Sequence, residues 1–277
     1  MHDDNFSDLT IEWESPSTWV PAIGNWVGDR LKSGGLERLT RKPRKQLYVD
    51  DAEWVDRVGR ASVPGLEDLL DELSDDLAAA RAVVFHGSRV DDPGRFSREG
   101  LKVNDPAALD DHVRELIRSE PELAAVYPDA DALLASFPKR ERDAGLLHVV
   151  LDSRSLTGGG AGHYLIYGSE WVQVILGWVA HPVLRKRGYP TLVRAVLNLD
   201  RSSDGERRDL ARHLLLEWAR LTATRDVWVQ DIDFTFTLAE ALPSGAVLGH
   251  THPATIEDPF HGVRRRTKSR RCPACDP

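Results

Sequence analysis

Strand-like runs stand at both ends of a helical middle, at irregular spacing, and this restricts the fold more than any other feature. The β-branched and aromatic runs Val83–Phe85 and Leu146–Leu151 are separated by about sixty residues of helical pattern. An alternating stretch between Val227 and Phe236 follows much later. A doubly wound array needs strand and helix to alternate regularly, so the order points to an α+β protein with a mostly antiparallel sheet.

Helical segments are read from apolar spacing. Leu66, Leu69, Leu70, Leu73 and Leu77 fall on one face of a helix whose other face is acidic. Phe96–Leu101 reads as a short helix closed by Gly100, and helices are expected over 105–119, 120–137 and 210–222. An apolar helix over 170–180, capped by Ser169, is expected to follow a strand at His163–Tyr167. Further strands are expected at 192–199 and 246–250, with a break near Asp231 in the alternating stretch. The first 64 residues, with Trp13, Trp19 and Trp26 among Pro and Gly, read as an irregular extension docked on the main domain. The main domain then covers 65–262, and a basic, cysteine-containing tail covers 263–277.

Composition narrows the partners. The 277 residues carry 44 acidic against 36 basic side chains, a net charge of −8, which disfavours non-specific adhesion to nucleic acid or anionic membranes. The longest apolar stretch, near Trp171–Ala180, is too short for a membrane span, and the acidic start lacks the pattern of a signal peptide. With only Cys272 and Cys275, there is no disulfide framework, and the cytoplasm is the expected compartment.

Three segments carry candidate chemistry. In FHGSRV, His86 ends a strand beside Gly87, Ser88 and Arg89. By itself a His-Gly pair is more often structural than functional. In GGGAGHYLIYGSEW, the glycines permit close backbone approach and Tyr164 and Tyr167 follow them; two core tyrosines beside a tight turn are an equally good account. The glycine string lacks the Gly-Lys-Ser/Thr ending of a phosphate loop. Two late glutamates are available, Glu240 in FTLAEALPSG and Glu170 in YGSEW. Glu170 opens a helix, where a carboxylate favours the positive end of the dipole.

Taken together, these segments resemble the diphtheria-toxin and poly(ADP-ribose) polymerase branch of the ADP-ribosyltransferases. There a strand ends in His-Gly-Ser or His-Gly-Thr, a Gly-Leu closes the next helix, a tyrosine strand follows, and a glutamate comes late. The resemblance covers roughly 82–253. It implies a split antiparallel sheet of transferase type with helical insertions, and NAD⁺ as substrate. His86, Gly87, Ser88 and Arg89 would then bind NAD⁺, with Tyr164, and Tyr167 as second choice, stacking on nicotinamide. Glu240 is the preferred catalytic carboxylate and Glu170 the other candidate. Position 238 is Leu where the family's paired Gln/Glu-x-Glu would put a polar residue. The implied activity is transfer of ADP-ribose to a protein or nucleic acid acceptor, or to water. The carboxylate stabilises an oxocarbenium-like state and the aromatic face holds the flat ring.

Cys272-Pro-Ala-Cys275 has the spacing of half a zinc knuckle; completing it needs His250, His252, His261 or a second chain. The other account is two free thiols on a tail. His250 and His252, two apart on a strand, face one side, but no cysteine or carboxylate is in register, so they read as a surface pair and no metal ligand is assigned. The basic block over 263–271 with the cysteine pair gives a competing class, a non-enzymatic nucleic-acid-binding protein. A transferase fold that binds ligand without turnover is a third.

Overall fold

The computed structural model describes residues 6–43, 46–137, 143–267 and 272–275. The chain is mixed helix and strand with antiparallel sheets, in two compact units. One unit combines Met1–Val83 with Val196–Ile232; the other combines Val84–Ala195 with Asp233–Pro277. The expected boundary after residue 64 therefore falls inside the first unit, and that after 262 inside the second.

The first unit is helical, and its N-terminal part is not irregular as expected. Helices Val20–Gly28, Gly35–Thr40 and Glu53–Ala61 precede the anticipated Leu66–Leu77. Trp13, Trp19 and Trp26 are each at most 1% exposed. Trp13 and Trp19 stack with centroids 5.4 Å apart, and the Trp26 indole N–H donates to Asp76 at 2.7 Å. Buried aromatics whose polar tips are satisfied form a core, which explains why this segment folds with its own unit.

Leu69, Leu70, Leu73 and Leu77 are buried against the long helix Asp204–Thr224. That helix starts six residues earlier than its apolar pattern suggested. Ser203 accepts from the Glu206 backbone N–H, and the Glu206 carboxylate reaches back to the Ser203 N–H, a complete capping box. Within it Glu217 and Arg220 form a buried ion pair. Arg220 also holds Asp226 and the Trp228 carbonyl, and Glu217 accepts from the Gln230 N–H. These bonds keep 225–232 as a loop, so Val227 and Trp228 lie exposed rather than in a strand. Only Thr235–Leu238 of the alternating stretch is extended.

The strands are β1 (Thr10–Ile11), β2 (Arg81–Val90), β3 (Leu147–Val150), β4 (Tyr189–Asn198), β5 (Thr235–Leu238), β6 (Val247–Thr251), β7 (Thr255–Asp258) and β8 (Val263–Arg266). β1 pairs in parallel with the start of β2, within the first unit. In the second unit the order is β5-β3-β2-β4-β6, with antiparallel β2–β3, β3–β5 and β4–β6 pairs. β7 and β8 form a separate hairpin. The first part of the basic block is thus a strand, with Arg264 paired to Glu257 and Arg265 to Asp258; its remainder, 268–271, lies outside the described residues.

Three local expectations are corrected. His163–Tyr167 is a short helix, not a strand, closed by Gly168 at φ +86°. A five-residue apolar run does not reveal its period, and here Gly162 decides: a Cβ on it would lie 2.1 Å from the Glu257 carbonyl, so the chain turns tightly against β7. The helix over 170–180 stops at Leu176, because Gly177 takes φ +61°, and Ser169 makes no side-chain cap bond. The expected helix over 120–137 is two short helices, Pro121–Val126 and Ala130–Ala135, parted around Pro128. Among the described residues no helix is long and apolar enough to cross a membrane.

Candidate functional site

β2 carries His86–Arg89 through the second unit's sheet, and neighbouring segments pack on it from two directions. His86 is half-buried. Its Nδ1 lies 3.1 Å from the His148 carbonyl, so Nδ1 carries the hydrogen and Nε2 keeps its lone pair. Burial lowers its pKa, outweighing the bond to His148, so the ring is neutral at pH 7. It meets the Phe96 ring edge-on at 6.5 Å.

Phe96 belongs to helix Arg95–Glu99, which Gly100 ends at φ +79° as its sequence implies. A Cβ on Gly100 would lie 2.1 Å from the Leu242 carbonyl. Leu101 and Leu242 exchange two backbone hydrogen bonds of 2.9 Å. The exposed Glu240 stands two residues before that bridge, in the turn after β5.

On the other side, a Cβ on Gly87 would lie 3.0 Å from Leu156 and 3.5 Å from Leu165. Ser88 is half-buried. Arg89 donates to the carbonyls of Leu165 (3.2 Å), Arg187 (2.6 Å) and Arg185, so its guanidinium ties helix ends to the strand.

The tyrosines differ in setting. Tyr164 is half-buried and its hydroxyl donates to Glu170 at 2.7 Å; burial first, then that carboxylate, raises its pKa. The exposed Glu170 sits in the first turn of its helix. Tyr167 is 2% exposed and donates to Asp258 at 2.6 Å, and burial with this bond pushes its pKa up to about 12. Its ring stacks on His181 at 4.0 Å. Glu240 and Glu170 therefore occupy separate elements, one after β5 and one paired to Tyr164.

A second constellation lies on β6 and the C-terminal turn. Nitrogen and sulfur donors of His250, His252, Cys272 and Cys275 all fall within 4.8 Å of one another. His250 Nε2 is 3.8 Å from Cys272 Sγ and 3.2 Å from Cys275 Sγ, and His252 Nε2 is 3.6 Å from Cys275 Sγ. Tetrahedral Zn–S and Zn–N bonds of about 2.3 and 2.0 Å place donor atoms roughly 3.3–3.8 Å apart. His252 donates from Nδ1 to the Pro190 carbonyl at 2.7 Å, which leaves Nε2 as the free ligand atom. Burial, then His252, lowers the His250 pKa, favouring the neutral form a metal needs. These four side chains could hold a metal ion, and the histidines are not the unconnected surface pair their spacing suggested. The missing cysteine register is supplied from outside the strand: the Cys272–Cys275 turn, closed by a 3.0 Å backbone bond, packs its Ala274 against Gly94.

One cluster had no motif to announce it. Trp178, His181 and Phe260 pack with centroids 4.9–5.4 Å apart, and His261 and His163 flank them. Its only sequence trace is an aromatic and histidine pair in WVAHP and another in PFHG.

Comparison with known proteins finds no matching family model, no matching curated protein and no matching solved structure.

Proposed function

We propose that this chain is an ADP-ribosyltransferase that cleaves the nicotinamide–ribose bond of NAD⁺ and transfers ADP-ribose to a macromolecular acceptor or water. One observation carries the reading: β2 with His86–Arg89 has the Tyr164 helix packed on one side. On the other His86 meets Phe96 of helix Arg95–Glu99, whose closing Gly100–Leu101 turn is bonded to Leu242, two residues beyond Glu240. Segments far apart in the chain thus gather around one strand, and this gathering is what supports the reading.

In this mechanism the neutral His86 accepts a ribose hydroxyl at Nε2 and positions the dinucleotide. Tyr164 offers an aromatic face to nicotinamide. The C1′–N bond breaks with its electron pair leaving on nicotinamide, and the carboxylate of Glu240 stabilises the cationic ribose. The acceptor's oxygen or nitrogen then bonds to C1′ and releases its proton. The test is nicotinamide release from NAD⁺ by the purified protein, with cell extract as acceptor source, alongside His86→Ala, Tyr164→Phe, Glu240→Gln and Glu170→Gln. Loss of roughly a hundredfold in His86→Ala and Glu240→Gln is expected. Loss in Glu170→Gln alone would move the carboxylate to the Tyr164 pair. No release under any of these conditions would refute the activity.

From the metal constellation we infer, second, that His250, His252, Cys272 and Cys275 would hold a structural Zn²⁺. Two thiolates with two imidazoles at tetrahedral spacing suit zinc, and four protein donors leave no open position for catalysis. Metal analysis should find one zinc per chain in the wild type. A Cys272→Ser/Cys275→Ser variant retaining a full equivalent would overturn the assignment.

A further inference from the structure

We propose that Trp178, Phe260 and His261, with the basic strand that follows them, form a stacking surface for single-stranded nucleic acid. The inference does not depend on NAD⁺ chemistry.

Trp178 is 63% exposed and Phe260 41% exposed, unusual for rings of this size. They are nonetheless held in place. Trp178 meets Phe260 edge-on at 5.3 Å and lies 5.7 Å from His261. Beneath them His181 is 6% exposed, sandwiched against Tyr167, and its Nδ1 has no hydrogen-bond partner. Tyr167 is in turn fixed by Asp258, whose Oδ1 also accepts from the Phe260 N–H. Aromatic rings that are packed against one another yet left partly exposed offer π-faces on which unpaired bases can stack.

Charge chooses the occupant. The turn bearing Phe260 and His261 runs directly into β8, where Arg264 and Arg266 alternate outward while Arg265 points inward to Asp258. From 263 to 271 the sequence holds six basic and no acidic residues, on a chain with net charge −8. Arg185 lies near enough to His181 to act on it electrostatically. The acidic groups on the hairpin, Glu257 and Asp258, are paired with Arg264 and Arg265. An apolar protein partner would not need this cationic border, and a duplex would hide its base faces from the rings. A single strand satisfies both features, with bases on the rings and phosphates along β8.

The test is fluorescence anisotropy of labelled single-stranded DNA and RNA 20-mers with the full chain, without NAD⁺, between 50 and 200 mM salt. Binding in the micromolar range is expected, and Trp178→Ala and Phe260→Ala should each weaken it roughly fivefold or more. Trp178→Phe, which keeps a ring, should retain most of the affinity. Arg266→Ala should flatten the salt slope by about 0.7, because an arginine that no longer neutralises a phosphate removes about that much. Circular dichroism checks that each variant folds. Absence of binding at 50 mM salt, equal binding of the duplex, or affinity indifferent to Trp178→Ala in a folded protein would each overturn the proposal. Because no step uses NAD⁺, failure here leaves the transferase reading standing, and the converse holds as well.

Discussion

If the His250, His252, Cys272 and Cys275 constellation holds zinc as proposed, stripping that ion should loosen the C-terminal turn at a calculable cost. The ion would link Cys272 to His250 across 22 residues of chain. Treating this as a cross-link, closure of a loop of that length removes about 3 kcal/mol of entropy from the unfolded chain. In a unit of roughly 150 residues each kcal/mol moves the midpoint by about 2–4 °C, so full metal removal should lower Tm by about 6–12 °C. The assay is thermal melting followed by circular dichroism at one scan rate, before and after chelation. Colorimetric zinc release and thiol titration run in parallel. Zinc added back should restore the midpoint, and Cys272→Ser should melt like the stripped protein whether zinc is present or not. If one equivalent of zinc leaves, both thiols become reactive and Tm does not move, then the turn is not tied by metal and the cross-link argument fails.

Other expectations follow from single interactions. Arg220→Ala leaves the buried Glu217 carboxylate without its partner, and urea titration should register a loss of about 3–5 kcal/mol. Gly162→Ala should cost about 2 kcal/mol or more, because its Cβ would meet a backbone carbonyl at 2.1 Å. Gly87→Ala should cost less, because it meets the movable end of Leu156. Equal losses in the two glycine variants would contradict the packing described. For His86 the folded pKa lies below the ordinary 6.5, so the folded state resists protonation there. Its contribution to stability is complete above pH 6.5 and declines as pH falls towards the folded pKa. An NMR titration of the ring above 6.5 in the folded protein would reverse that sign.

Much of the local structure was written in the residues. The leucine spacing of 66–77 is enough to bury one face of a helix, and Gly100 ends its short helix because only glycine takes φ +79° without strain. The Ser203–Glu206 capping box was equally present in the sequence, and its reciprocal bonds start the helix six residues before the apolar pattern does. Periodicity could not settle His163–Tyr167, since five apolar residues fit strand and helix alike; the close approach of Gly162 to Glu257, 95 positions away, fixes the helix. The candidate residues on β2 were likewise legible as a string, whereas their neighbours were not. That Gly87 meets Leu165, and that Leu101 bonds to Leu242, depends on how distant segments return to one strand. The metal constellation shows the division most sharply. Sequence displayed two cysteines three apart and two histidines two apart, each half a site. Only the tertiary fold brings the turn at 272–275 over β6, because donor distance is a property of space and not of chain order.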